Sequence, residues 1–205
     1  MHSYLSETEY AVSGLFDLIG DEGMRCEEMR NALQNTKAEG KRARAILYAG
    51  APPSAFGEDT TPYFEKRTRD ARRKSHELEV SIAGLQAAIA AKAFSVRALA
   101  GSILQIAKQG IVVKHGSLSN CPSGRDIGQE VLKNVIWQAR NQAMQWEENS
   151  FNDAVTACFC GLERSFGNQF RIGGDTTLSL AKVVIDLLQW TNYDAYLRDM
   201  QSLIE

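Results

Sequence analysis

The placement of proline limits the fold of this chain more than any other feature. Four prolines occur in 205 residues, and Pro52, Pro53 and Pro62 fall within one segment, GAPPSAFGEDTTP, at 50–62. Proline lacks an amide proton and its ring clashes with the preceding helical turn, so long proline-free tracts on either side are free to continue as helix. The segment itself, with two glycines, reads as a loop. Before it, Ser6-Glu7-Thr8-Glu9 is a helix-start signature, and Leu15, Leu18, Ile19, Met24, Met29 and Leu33 recur at helical spacings up to residue 48. After it, Thr61-Pro62 opens a second tract, because proline's fixed φ suits the first helical turn. The two tracts are expected to lie antiparallel, as a long helical hairpin.

The clearest period runs from Ser81 to Gly110: Ile82, Leu85, Ile89, Val96, Leu99, Ile103 and Ile106, with alanines packed between them. This predicts a central core helix ended by Gly110 and Gly116. The following SLSNCPSGRD is a loop, with Asp126 as candidate cap for a helix over Ile127–Glu148. Further helices are expected at Asn152–Ser165, Thr176–Trp190 and Tyr193–Leu203, with RIGGD at 171–175 breaking the chain between the first two. Strand-like alternation is lacking, so the fold class is all-α. Residues 1–60 form an amino-terminal helix and loop, and 61–205 a helical bundle continuous with it.

Lys+Arg total 23 against 25 Asp+Glu, a formal charge of −2, so any contact with nucleic acid is local rather than spread over the whole surface. No basic amino-terminal region precedes an apolar run, and no stretch reaches the roughly 18 uncharged apolar residues of a membrane span. A cytoplasmic protein without membrane contact is expected. Four scattered cysteines suit reduced thiols rather than a disulfide framework. Cys158 and Cys160 would supply only half of a metal site, and no second pair accompanies them. No metal or other cofactor is expected.

Residues 139–146, ARNQAMQW, hold the candidate chemistry. Arginine stays charged and offers a planar fork to phosphate oxygens, and a neighbouring asparagine amide can orient or donate to the same group. Cleaving an RNA phosphodiester also needs proton transfer near neutral pH, which histidine performs and glutamine does not. On a straight helix Arg140 and Gln145 lie about 140° apart, at about 100° per residue, so they converge only if the helix bends or two copies meet.

The run VIWQARNQAMQWEE resembles the signature helix of the HEPN superfamily, in which arginine, a polar residue and, after a short spacer, histidine follow one another. The match holds at Arg140 and Asn141 and departs at Gln145, where the family has histidine. The resemblance covers about fourteen residues within a compatible helical order over 81–205, and says little about 1–60. It implies a small all-α bundle that forms a homodimer, with two copies of the motif across one cleft. It further implies a metal-independent endoribonuclease of a toxin–antitoxin or antiviral defence system, with an antitoxin or other defence protein as partner. Arg140 would stabilise phosphate charge, Asn141 would position it, and a histidine at 145 would move the proton. With Gln145 in that place, cleavage is expected to be lost while RNA binding survives. The alternative is a non-catalytic binding or adaptor module. An inactivating replacement and a lineage without catalysis both leave this pattern.

Residues 66–74, KRTRDARRK, carry six basic side chains and one acid. Lys66, Arg67, Arg69 and Arg73 are candidate contacts to an RNA backbone, with Tyr63 and Phe64 just ahead of them. An exposed helix with internal ion pairs explains the run equally well. His76 and His115 have no recognisable catalytic partner and suit surface or capping roles.

Overall fold

The computed structural model describes residues 2–48, 61–148, 150–173 and 178–205, with side chains for all of these except 48 and 61–64. The proline segment and the residues just before the fifth helix therefore lie outside the described residues, as do the side chains of Tyr63 and Phe64. The described chain is mainly α-helical: α1 (Ser3–Tyr48), α2 (Thr61–His115), α3 (Leu132–Gln145), α4 (Asp153–Phe166), α5 (Ala181–Leu187) and α6 (Tyr193–Ile204). A two-residue antiparallel ladder, β1 (Asp126–Ile127) with β2 (Glu130–Val131), precedes α3. As expected from Thr61-Pro62, α2 begins at Thr61.

The chain forms two compact units: Gly23–Ala93, and Met1–Glu22 together with Phe94–Glu205. In the first, α1 and α2 run antiparallel, since Gly40 faces Ile82 while Arg44 donates to Glu79 at 2.6 Å. Among the described residues its buried side chains are Cys26, Ala43, Ala71, Ser75 and Leu78. The second unit holds the main core. Leu5, Val12 and Phe16 of α1 and Ile103, Leu104, Ala107 and Ile111 of α2 pack there with the inward faces of α3 to α6. Burying such apolar side chains is the dominant favourable term in folding.

The stretch with the clearest period is not the core helix the sequence suggests. Ile82, Leu85, Ile89, Val96 and Leu99 are only half-buried, and full burial begins at Ala100. Among the described residues this is also the one helix long and apolar enough to cross a membrane by length and composition. Its most apolar 18-residue window averages 1.4 in hydropathy and is 22% buried.

Gly110 does not end the helix either; it lies within α2, which continues to His115 and stops at Gly116, whose φ is +72°. A Cβ at Gly110 would stand 2.9 Å from the Tyr4 ring, so glycine there permits close approach of α1. Helix α3 starts at Leu132, five residues later than expected. Asp126 is taken up in the ladder, and the carbonyls of Arg125 and Ser123 accept from the Leu132 and Lys133 amides instead of a side-chain cap. Asn152 and Asn192 do cap α4 and α6 through their side chains.

Candidate functional site

The motif residues occupy the last two turns of α3 and point in several directions. Val135, Ile136 and Ala139 turn into the core, which fixes the rotation of the helix. Arg140 and Asn141 are then half-buried on the side that meets α2. The Arg140 Nε donates to Gln105 Oε1 on α2, and its Nη1 donates to Asn141 Oδ1 at 3.5 Å. The same Asn141 oxygen accepts from Lys108 Nζ at 3.0 Å. Lys108 also lies over the Trp137 ring, 4.3 Å from its centre. Burial, and then the Arg140 charge beside it, lower the Lys108 pKa below the ordinary lysine value.

From this cation pair a one-directional series of amides runs back along α3. Asn141 Nδ2 donates to Gln138 Oε1 at 3.3 Å, Gln138 Nε2 to Asn134 Oδ1 at 3.4 Å, and Asn134 Nδ2 to Glu130 Oε2 at 2.5 Å. Positive charge stands at one end and a carboxylate at the other. Each amide is oriented by its neighbours, so Asn141 presents its oxygen, and not its nitrogen, to the cations.

Gln142 plays a different part. It is 2% exposed, donates to the Leu178 carbonyl at 2.9 Å and accepts from the Leu180 amide at 2.8 Å, fixing the segment that leads into α5. Gln145 is the last residue of α3, where the chain tightens into a 3-10 turn at Trp146–Glu148. Its Oε1 is buried without a hydrogen-bond partner among the described residues.

Two grooves flank Gln105. One, of 390 Å³, is walled by Phe94, Ile106, Ala143, Met144 and Trp146, with Arg97 at its edge. Phe94 and Trp146 meet edge to face at 6.4 Å, and Phe94 is 51% exposed. The other, of 370 Å³, is lined by Tyr4, Gln105, Lys108, Gln109, Val112 and Val113. Nothing local in the sequence marks Lys108 and Gln105, which lie more than thirty positions from the motif. A local signal for Asn134 and Gln138 was present: with Asn141 they recur at helical spacing among apolar residues.

In the Gly23–Ala93 unit, Lys66, Arg67, Asp70 and Lys74 line a 480 Å³ groove floored by Ala43, Ile46 and Ala71. Lys74 therefore joins Lys66 and Arg67. Arg69 is exposed and is not among these lining residues, and Arg73 is paired with Asp70 at 3.4 Å and with Glu77 at 3.9 Å.

His115 hydrogen-bonds the Leu203 carbonyl at 2.7 Å, fastening the end of α2 to α6, and His76 is exposed. Among the described residues no cluster of three His, Cys, Asp or Glu gathers as a metal would require. The Cys158 thiol is buried, and burial, then the nearby Glu130 charge, push its pKa up to about 12, leaving an inert small hydrophobe. Comparisons of the chain with family models, with curated proteins and with solved structures find no match.

Proposed function

We propose that this chain is a HEPN-type ribonuclease scaffold in a catalytically silent form, which binds RNA phosphate through Arg140 and does not cleave it. The observation that carries the proposal is the joined pair Arg140–Asn141 on α3, half-buried against α2 beside a groove, with an amide and no imidazole at position 145. Arginine supplies fixed charge for phosphate oxygens, and the amide at 145 has no proton affinity to serve as a base near pH 7. Arg140 and Gln145 lie about 140° apart around α3, so two copies related by a two-fold axis would have to bring the motif together. A homodimer of cytoplasmic location in a toxin–antitoxin or defence system is the setting this proposal implies.

The test is the substitution Gln145→His, with RNA cleavage measured on the purified protein. Cleavage that appears with Gln145→His and disappears on adding Arg140→Ala is the expected result. A folded dimer of Gln145→His that leaves every RNA intact would defeat the nuclease reading. It would favour the second reading, a non-catalytic adaptor. One observation supports that second reading: Gln105 and Asn141 already occupy the Arg140 guanidinium, as in a structural role.

A further inference from the structure

The Lys108 ammonium and the Arg140 guanidinium converge on one neutral oxygen, Asn141 Oδ1, from 3.0 and 3.5 Å. Neither cation meets a carboxylate among the described residues, and Glu130 stands at the far end of the amide series. Two like charges drawn to a single uncharged acceptor repel each other, and an anion between them would relieve that repulsion. Asn141 cannot turn its donor towards them, because Gln138 accepts from its nitrogen. The apolar groove of 390 Å³ opens on the other side of Gln105, within the range of about 300–1,000 Å³ usual for small-ligand sites. Arg97 at its edge has no ion-pair partner among the described residues. On α2, Arg97 and Lys108 are eleven positions apart, about 20° around the helix and about 16 Å along it, so they share a face.

Resting on the RNA-binding reading above, we infer that Lys108 and Arg140 form a phosphate clamp and that the adjoining groove of Phe94 and Trp146 accepts the base of an unpaired nucleotide. Cations interleaved with accessible aromatic rings suit single strands, whose bases are free to stack, and do not suit a duplex. Lys108 is then a binding residue that the motif alone does not reveal.

The experiment is fluorescence anisotropy of the 205-residue chain with a labelled single-stranded oligoribonucleotide and with the matching duplex. Lys108→Met is expected to weaken single-strand binding at least about tenfold, as for loss of a hydrogen bond to a charged group. Phe94→Ala is expected to weaken it at least about fivefold. Lys108→Arg should retain binding within about threefold, since the charge remains. A pH series adds a readout that a purely structural lysine would not move. Parent affinity should fall on the alkaline side at a pH below that of ordinary lysine titration, and Lys108→Arg should abolish that fall. Circular dichroism melting checks that each variant folds, and the Lys108→Arg comparison holds even where Lys108→Met does not. If the parent binds RNA and Lys108→Met and Phe94→Ala bind as tightly, the clamp is wrong and the broader reading stands. Equal affinity for duplex overturns the base-accepting groove. A parent that binds no RNA overturns both.

Discussion

Gln142 and Gln145 are the same residue type on one short helix, and their environments give them opposite energetic consequences. Gln142 uses both ends of its amide, a donor to Leu178 and an acceptor for Leu180, so neither glutamate nor a hydrophobe can reproduce the pair. Gln142→Met, close in volume, is expected to lose about 1–3 kcal/mol, because the buried Leu180 amide is left without a partner and the Leu178 carbonyl loses its donor. Gln145 leaves its buried Oε1 unmatched among the described residues, and Gln145→Leu should be neutral or stabilising. Urea unfolding of both variants measures this. A loss for Gln145→Leu as large as that for Gln142→Met would show that the amide at 145 is held by a hydrogen-bond partner and is not unmatched. At this scale the sequence was legible where chemistry is local: Arg140 and Asn141 are neighbours and do share a hydrogen bond. It was illegible where partners come from α2, because nothing in ARNQAMQW encodes the approach of Gln105 or Lys108. It also did not separate Gln142, a structural tie, from the residues around it.

At the scale of elements, helix existence followed from periodicity, and helix ends followed only where side chains marked them. Asn152 and Asn192 are ordinary amino-terminal caps, and α4 and α6 begin where expected. Helix α5 ends earlier than its apolar pattern suggests. Gln189 takes a left-handed φ of 60°, with Trp190 N donating to Ile185 O and Gln189 N to Asp186 O. That is a Schellman closure, which glycine usually announces and glutamine conceals. Two glycines of α2 make the opposite point and can be tested together. A Cβ at Gly101 would find nothing nearer than Ala143 at 3.7 Å, an ordinary contact, so Gly101→Ala should stabilise by about 0.5–1 kcal/mol through helix propensity. At Gly110 the new methyl would press on Tyr4, whose hydroxyl is tied to the Ile106 carbonyl at 2.8 Å. Overpacking of about 1–3 kcal/mol then outweighs the propensity gain, and Gly110→Ala should lower the melting temperature while Gly101→Ala raises it. Both variants melting above the parent would mean that α1 yields to the methyl, and that the close approach at Gly110 is incidental.

On the whole molecule, a formal charge of −2 means that binding to RNA must come from local concentrations of cations acting against a mildly repulsive background. Two such concentrations stand among the described residues at a groove, one in each compact unit: Lys108 with Arg140, and the Lys66, Arg67 and Lys74 groove. Counterion release gives each phosphate contact its own share of the salt dependence, about 0.7 in the log–log slope for a single strand. If the groove carries RNA backbone, replacing Lys66, Arg67 and Lys74 together by glutamine should reduce the slope by about 2. Arg73→Gln alone should barely change it, because Asp70 and Glu77 already neutralise that guanidinium on the helix surface. The contrast matters because a count of basic residues in KRTRDARRK treats Arg73 and Lys74 as equivalents, whereas their neighbours separate a paired charge from an available one. A slope lowered equally by Arg73→Gln and by the triple replacement would reduce the groove to a generally basic surface, with RNA affinity then set by net charge and not by the placement of Lys66, Arg67 and Lys74.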